Sequence, residues 1–193
     1  MPRGHYVRKV REIIIDGDIS YVPLSQGKLA KISTSDIHLV SGFNWNLRKN
    51  AIHSHSYVAR SDKRDSDYKQ AIIVMHRVIM SPPKGFVVDH INGDGLDNRR
   101  ENLRVCTQQE NSWNSKKKST NKSGVKGVCR HSSGKWRATI CVSAKQISLG
   151  LYHSVEEAAK AYERAATEKF GNFANCSPDA EHGVTFNDQR SAA

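Results

Sequence analysis

Residues 1–75 alternate short apolar segments with polar turns, a pattern that is typical of β-strands. The turn sequences Asp16-Gly17-Asp18 and Ser25-Gln26-Gly27 separate three of these segments. Strands bounded by such Gly- and Asp-rich clusters pair readily with their neighbours. A short helix over 37–45 that runs into a loop interrupts the pattern. We therefore predict a β-rich N-terminal region with strands over 12–15, 19–24, 29–32, 56–60 and 71–80.

The next part of the chain has the pattern of two strands followed by a helix. Thr107 and Glu110 are three residues apart, so that each side chain can satisfy the other's backbone amide in a capping box. Lysines at the far end of this helix suit the negative end of its dipole. We predict a strand over 86–91, a polar loop over 92–98, a strand over 102–106 and a helix over 108–117.

The C-terminal part predicts three strands and one long helix. Apolar Trp136, Ala138 and Ile140 alternate with more polar neighbours, which indicates a strand with one buried face. Ser154 and Glu157 form a second capping box, and an apolar stripe with helical spacing follows them. The predicted strands cover 124–131, 136–142 and 146–152, and the helix that starts after Ser154 ends near Gly171.

The charge of the chain favours a polyanionic partner. The formal net charge is +11 and the isoelectric point is near 9.6. Between residues 99 and 145, twelve Lys or Arg side chains oppose two Glu side chains. A solvated surface is the ordinary explanation for a charge run, but one this dense and one-signed favours nucleic acid or an anionic membrane.

Other features argue against a membrane or secreted protein. The sequence contains no apolar stretch near the roughly 18 residues that a membrane-spanning helix needs. The basic N-terminus leads into only three isoleucines, which is too short for a signal peptide. The four cysteines show no Cys-x-x-Cys spacing, so we expect a reduced, intracellular protein without a zinc ribbon.

Three residues of the strand-strand-helix segment have the chemistry of phosphodiester hydrolysis. Asp89 and His90 end the first strand, and Asn111 lies one turn into the helix, so folding back of the loop would bring them together. A carboxylate and an amide oxygen suit a hard cation such as Mg²⁺. An imidazole near neutral pH can take a proton from water. The set therefore predicts a base, a nucleophilic water and a cation at one point.

The motifs of this segment resemble the His-Asn-His (HNH) endonucleases of the phage homing type. They are His76-Arg77, Val88-Asp89-His90-Ile91-Asn92-Gly93-Asp94, Asp97-Asn98-Arg99, Glu101-Asn102-Leu103-Arg104 and Glu110-Asn111.

The resemblance implies a ββα-metal fold over roughly 76–116, with His90 as general base. It implies Asp89 and Asn111 as ligands of one divalent cation, Mg²⁺ or else Mn²⁺, and Asn102 as the residue that pins the loop. Asn111 stands where many members carry His, which favours an oxygen-loving ion and leaves nicking or double-strand cutting open. His76 and Asn98 are candidates for supporting the site, although a packed scaffold histidine explains His76 equally well.

A second set of motifs resembles the APETALA2/ethylene-response-factor (AP2) domain. They are Ser123 to Val128, Gly134 to Ile140, Leu149-Gly150 and Glu156 to Tyr162. The resemblance implies a three-stranded sheet packed on one helix, with the sheet laid in the DNA major groove. Lys126 and His131 fall on DNA-contacting positions, but Cys129, Ser133, Cys141, Gln146 and Ser148 depart from the plant contact residues, so the plant target sequence does not transfer.

Further basic residues complete the expected DNA contacts. Arg130 and Arg137 are candidate substitutes for the missing contact residues, whereas Trp136 and Tyr162 are expected in the core. The basic residues around the linker are expected to grip phosphates, and charges in the N-terminal region are expected to add nonspecific contacts. These two sets are Lys116, Lys117, Lys118 and Lys122, and Arg48, Lys49, Arg60 and Lys63.

These observations predict an α+β protein of five parts that acts on double-stranded DNA. The parts are a β-rich region (1–75), the nuclease (76–118), a basic linker (119–123), the AP2-like domain (124–175) and a polar tail (176–193). We expect a homing or mobile endonuclease, a monomer without a protein partner, in the cytoplasm of a bacterial host. The alternatives are a non-catalytic DNA-binding or regulatory protein with a decayed site and, less supported, an RNA-binding protein.

Overall fold

The computed structural model describes residues 9–49, 56–63, 70–117 and 120–176. It divides the chain into two compact units, 1–114 and 115–193. Unit one combines small antiparallel sheets with short helices, and unit two combines a small antiparallel sheet with a longer helix, which confirms the α+β class. No helix in the described parts is both long and apolar enough to cross a bilayer.

The first sheet of unit one is an antiparallel meander of β1, β2 and β3, as the alternating pattern predicted. Val22, Ala30 and Ile32 point inwards from it and are buried. A short helix, α1, follows and is confirmed, although it ends earlier than predicted. The bounds are β1 Ile14–Asp16, β2 Ile19–Pro23, β3 Leu29–Ser33 and α1 Ile37–Val40, with single 3-10 turns at Ser25–Gly27 and Thr34–Asp36.

The second sheet contains one strand that the sequence analysis missed and ends in a helix that it did not predict. The predicted strand over 71–80 is wrong beyond residue 74, where α2 begins. Met75 and Ile79 are one helical turn apart and both are buried, so a helix buries this apolar run as well as a strand would. The bounds are β4 Asn46–Lys49, β5 Ser56–Lys63, β6 Gln70–Val74 and α2 Met75–Met80.

The predicted strand-strand-helix segment is confirmed. β7 pairs antiparallel with β8, and the Thr107 and Glu110 capping box starts α3. This helix ends at Trp113 rather than near residue 117, because Asn114 and Ser115 are poor helix formers and the Asn114 side chain turns back towards β7. The bounds are β7 Val87–His90, a 3-10 turn Arg100–Asn102, β8 Leu103–Cys106 and α3 Gln108–Trp113.

One hydrophobic core joins most of these elements. It contains residues from both predicted domains, so the structure places no boundary between 75 and 76. The sheet strands, α2 and β7 each bury at most two of their described side chains, which are too few for separate cores. The core includes Val22, Ile32, Val40, Trp45, Val58, Met75, Ile79, Val88 and Leu103.

The loop between β7 and β8 is attached to the N-terminal sheets by backbone contacts. The amide of Lys31 in β3 donates to the carbonyl of Leu96 at 2.8 Å, and the amide of Asn98 donates back to the carbonyl of Lys31 at 2.8 Å. Gly95 packs so closely on β5 that an added Cβ would lie 2.0 Å from the carbonyl oxygen of Ser56. The loop therefore takes its shape from the N-terminal region.

The second unit is an antiparallel sheet in the order β11-β10-β9 with α4 packed against it. Ala138 and Ile140 are buried on the helix side, as predicted, and Tyr162 is a core residue at 5% exposure. The Ser154 and Glu157 capping box is confirmed. The bounds are β9 Val128–Arg130, β10 Trp136–Val142, β11 Lys145–Tyr152, α4 Val155–Phe170 and a 3-10 turn Gly171–Phe173.

The predicted linker over 119–123 is in part an ordered element of unit two. The Asn121 side chain donates to the carbonyl of Val125 at 2.8 Å and accepts from the amides of Ser123 and Gly124. The Ser123 hydroxyl donates to the carbonyl of Val128 at 2.7 Å. These bonds attach 121–123 to the start of the sheet, while residues 118–119 lie outside the described parts.

The close approach of Gly95 makes a stability prediction. Gly95→Ala places a methyl group against the Ser56 carbonyl, and overpacking of this kind costs about 1–3 kcal/mol. We expect urea denaturation to show that loss in the free energy of unfolding. Gly17→Asn is the control, because an added Cβ there meets nothing within 4 Å and Asn tolerates its left-handed backbone. Equal stability of Gly95→Ala and the wild type would contradict the close packing.

Candidate nuclease site and nucleic-acid-binding face

Asp89 is a buried carboxylate at the end of β7, with a relative exposure of 6%. The register of the hairpin pairs Asp89 with Arg104 of β8. The Arg104 guanidinium donates from Nε and Nη2 to Asp89 Oδ2, at 2.8 and 2.7 Å. One oxygen of the carboxylate is therefore held by a positive charge, which compensates for its burial.

Asn114 contacts the other side of Asp89 and was not predicted for the site. Its Nδ2 lies 3.0 Å from both carboxylate oxygens, 3.0 Å from the carbonyl oxygen of His90 and 3.4 Å from that of Ile91. The predicted ligand Asn111 is half-buried one turn earlier, and no hydrogen bond of the described residues joins its side chain to Asp89. The spacing of three residues puts both amides on one helix face, which is the signal that could have found Asn114.

His90 lies between two groups that the sequence analysis named as supporting residues. Its Nε2 is 3.4 Å from Asn98 Oδ1, and its ring meets the His76 ring edge-on, with centroids 4.9 Å apart at 85°. Burial lowers the pKa of His90, while the Asn98 hydrogen bond and the charge of Asp89 oppose that shift. Burial, with the positive charges of His90 and Arg77, lowers the pKa of His76 to about 3.

Asn102 ties the two ends of the loop together. Its Nδ2 donates to Asn92 Oδ1 at 3.0 Å and to the carbonyl of Asp97 at 2.8 Å. Its Oδ1 accepts from the amide of Asn92 at 3.0 Å, and its backbone carbonyl accepts from Ile91 at 2.9 Å. The structure thus places Asn102 beside the residues that follow His90.

The arginines at the start of the basic run are paired inside the fold. Arg99 donates to Asp97 from Nε at 2.8 Å and from Nη2 at 2.7 Å, and it also contacts Glu101. Burial opposes ionisation of Asp97, but the hydrogen bonds and charge of Arg99 outweigh it and lower the pKa of that carboxyl. Arg100 pairs with Asp36, which is 2% exposed. Arg104 bonds to Asp89 in the same way, so each of these three arginines is paired with a buried carboxylate.

The sheet of unit two has a free face that carries Arg137. This residue is exposed on the side of β10 opposite to the buried Ala138 and Ile140. Its Nη2 lies 3.7 Å from the Sγ of exposed Cys129 on β9. The cross-strand partners on this face are Arg137 with Leu151, Thr139 with Ser148, and Cys141 with Gln146.

Arg130 and His131 do not lie on this free face of the sheet. The Arg130 guanidinium is 5.0 Å from the centre of the half-buried Trp136 ring. Trp136 alternates with Arg137 along β10, so Arg130 belongs to the helix side of the sheet. His131 Nδ1 accepts from the amide of Ser133 at 3.2 Å and orders the turn between β9 and β10.

The predicted phosphate-binding lysines differ in their surroundings. Lys117 donates to the carbonyl of Gly124 at 3.2 Å, and Lys126 donates to the carbonyl of Ser115 at 2.7 Å. Burial lowers the pKa of Lys126. Lys116 and Lys122 are exposed, whereas Lys118 lies outside the described residues.

The basic residues proposed for the N-terminal region are also partly engaged. The Arg60 guanidinium lies 3.8 Å from the centre of the Phe43 ring, and its Nη1 bonds to Asp62. Arg48 donates to the Ser61 hydroxyl at 3.0 Å. Lys49 is exposed, and the side chain of Lys63 lies outside the described residues.

Comparisons with known proteins match both parts of the chain to known families. A family model described as HNH endonuclease matches residues 75–113, and one described as AP2 domain matches residues 123–172. Protein 3.8 of Escherichia phage T7 is 38% identical over 93 residues, which are 48% of this chain and 76% of that protein. A protein of Acanthamoeba polyphaga mimivirus, named as an uncharacterized HNH endonuclease, is 30% identical over 169 residues, which are 83% of this chain and 82% of that protein. No solved structure matches the chain.

The fold and the site therefore define a nuclease of the ββα type joined to a sheet-and-helix domain. The chain belongs to the HNH endonucleases and carries an AP2 domain behind its nuclease motif, as both resemblances predicted. These two domains indicate DNA as its partner.

The two asparagines of α3 form a matched pair for mutation. We expect Asn114→Ala to lower the free energy of unfolding by about 1–3 kcal/mol, because it removes the amide that satisfies the Asp89 carboxylate and the His90 carbonyl. Asn111→Ala has no such bonds to lose and should stay within about 0.5 kcal/mol of the wild type. Denaturant unfolding of both variants measures the difference. Equal losses would show that Asn114 has no special role.

Proposed function

We propose that the protein hydrolyses phosphodiester bonds of double-stranded DNA with His90 as general base and one divalent cation, Mg²⁺ or Mn²⁺. Asp89 and Asn111 are the proposed ligands, and the enzyme is of the homing or mobile type. The phage and viral origin of the relatives supports the mobile type. The observation that carries the proposal is the juxtaposition of buried Asp89 and half-buried His90 at the end of β7, next to a loop whose two ends Asn102 joins by hydrogen bonds.

The donor set fits a hard divalent ion. Arg104 takes Asp89 Oδ2, while Oδ1 receives only the Asn114 amide among the described bonds and keeps a lone pair for a cation. The described residues contain no group of three or more His, Cys, Asp or Glu that could together hold a metal ion. An ion that uses few protein ligands and keeps several waters, as Mg²⁺ does, suits such a site. When bound, it would supply positive charge to the phosphate and the leaving oxygen.

The residues around the ion site have separate tasks in this proposal. His90 takes the proton of the attacking water, and His76 and Asn98 hold its ring. Arg104 and Asn114 fix the Asp89 carboxylate. With one such site in a monomer, each binding event cuts one strand, so nicked DNA is the first product.

The AP2 domain is the proposed DNA-binding module. Its free sheet face offers Arg137, Gln146, Thr139 and Ser148 to base edges, and each of these side chains can hydrogen-bond there. The exposed Lys116 and Lys122 would contact phosphates and make binding depend on salt. Arg130 is assigned a packing role on Trp136 instead.

Cleavage of supercoiled plasmid tests the catalytic proposal. The substrate is a plasmid pool carrying phage DNA, with Mg²⁺ or Mn²⁺, so that target sites are represented. We expect nicked circles to form before linear DNA and EDTA to stop the reaction. His90→Ala should slow it by about 10²–10⁴-fold because a general base contributes that much.

Matched variants complete the cleavage test. His38→Ala is the control histidine, since His38 is exposed and bonds only to the Ser35 carbonyl among the described contacts. Binding of Mn²⁺ followed by electron paramagnetic resonance should weaken in Asp89→Asn and in Asn111→Ala. Cleavage by His90→Ala at the wild-type rate would refute His90 as general base. Unchanged Mn²⁺ binding by both Asp89→Asn and Asn111→Ala would refute these residues as metal ligands.

The two arginines of the sheet test the DNA-binding proposal. Arg137→Ala should weaken duplex binding about 5- to 150-fold, because a good base contact is worth about 1–3 kcal/mol. Arg130→Ala should leave binding close to wild type, since its guanidinium packs on Trp136. Fluorescence anisotropy measures both affinities, with the full-length chain in EDTA and a duplex that carries a site found to be cleaved in the plasmid assay. A larger loss from Arg130→Ala than from Arg137→Ala would reverse the assignment of the binding face.

A further inference from the structure

The two ring nitrogens of His90 lie in different surroundings. Nε2 faces Asn98 Oδ1 at 3.4 Å, a long hydrogen bond, while Nδ1 has no hydrogen-bond partner among the described residues. The buried side-chain nitrogens without a partner in the described parts are Nε of Arg60 and Nδ1 of His76. His90 Nδ1 is not one of them, so solvent reaches it.

The orientation of the Asn98 amide is fixed by its neighbours. Asn98 is 0% exposed, and its Nδ2 donates to the carbonyl oxygen of Gly95 at 3.3 Å. Turning the amide over would point Oδ1 at that carbonyl, and two acceptors would then face each other in a buried place. Oδ1 therefore faces His90, and because an amide oxygen only accepts, Nε2 must donate.

We infer that Asn98 sets the tautomer of His90, with the hydrogen on Nε2 and the lone pair on Nδ1, so that Nδ1 is the basic nitrogen of the nuclease. The inference rests on the proposed role of His90 as base. In neutral imidazole one nitrogen donates and the other accepts, so a fixed acceptor at one of them decides which one is free for catalysis.

The proton and bonds of the reaction follow from this assignment. A water proton moves to Nδ1 and leaves an imidazolium whose Nε2 hydrogen stays on Asn98. The water oxygen bonds to phosphorus, the bond from phosphorus to the leaving sugar oxygen breaks, and that oxygen takes a proton from solvent. His90 then returns its extra proton to solvent.

The N-terminal sheet holds Asn98 in the required position. The Asn98 amide donates to the carbonyl of Lys31 in β3, and the Gly95 carbonyl that receives the Asn98 side chain lies in the segment packed on β5. The His76 ring contacts the His90 ring at 4.9 Å and restricts its rotation. The N-terminal region thus influences the His90 imidazole through the side-chain amide of Asn98.

Nitrogen-15 NMR of the histidine rings tests the tautomer directly. Full-length protein labelled at histidine is measured near pH 7.5 in EDTA without DNA, and His90→Gln assigns its signals. We expect a protonated Nε2 and an unprotonated Nδ1 in the wild type. A protonated Nδ1 would overturn the inference.

Two variants ask whether Asn98 is the cause. Asn98→Leu has a similar volume but no acceptor, so we expect a mixture of tautomers and a fall in kcat of about 10–100-fold at similar KM. Asn98→Asp keeps an acceptor and should keep the Nε2 hydrogen. A wild-type tautomer in Asn98→Leu, or an unprotonated Nε2 in Asn98→Asp, would contradict the inference. If Asn98→Leu fails to fold, the wild type and Asn98→Asp decide it.

The outcomes separate this inference from the proposed function. The Nε2 hydrogen could prove to depend on residue 98 while cleavage does not need His90. That result would refute His90 as general base, and Asn98 would still determine its tautomer. Conversely, cleavage could need His90 while Nδ1 carries the hydrogen. That result would refute the inferred tautomer and leave His90 as the general base.

Discussion

The nuclease site depends on the exchange of two backbone hydrogen bonds between β3 and the loop that follows β7. Lys31 donates to Leu96 and accepts from Asn98, so the loop behaves as a short extra strand at the edge of the first sheet. Backbone pairs of this kind keep buried amides satisfied and fix the position of the loop against β3. The Asn102 amide closes the same loop from the other side. His90 and Asn98 lie at the two ends of this loop, so the hydrogen bonds that fix the loop also fix the position of the His90 ring.

The arginines near the site contribute to the fold before they contribute to binding. Arg99, Arg100 and Arg104 each contact a carboxylate that is almost completely buried. A buried carboxylate without its partner is costly, so these pairs resist opening of the loop. The long basic run of the sequence therefore has two parts with different tasks. Its first part is neutralised within unit one, and the exposed positive charge lies further along the chain.

Much of the site could be predicted because its signals are local in sequence. Asp89, His90 and Asn102 stand in recognisable motifs, and the two capping boxes depend on residues three positions apart. The contacts that the sequence analysis missed join distant segments: Asn114 reaches Asp89 across 25 positions, and Gly95 meets β5. Helix α2 was predicted as a strand because a short apolar run fits either structure. The sequence alone does not tell in which direction the side chains of Asn111 and Arg130 point.

The single core of unit one limits how this nuclease can be recombined with other proteins. A segment cut at the borders of the matched HNH motif would leave behind β3, β5 and most of the core residues that hold its loop. Such a fragment would carry every recognised motif residue and still lack the surfaces that shape them. The portable unit is therefore residues 1–114, while the AP2 part has its own sheet, helix and buried side chains. Exchange of DNA-binding modules in such enzymes should respect the junction after Asn114 rather than the edges of the sequence motif.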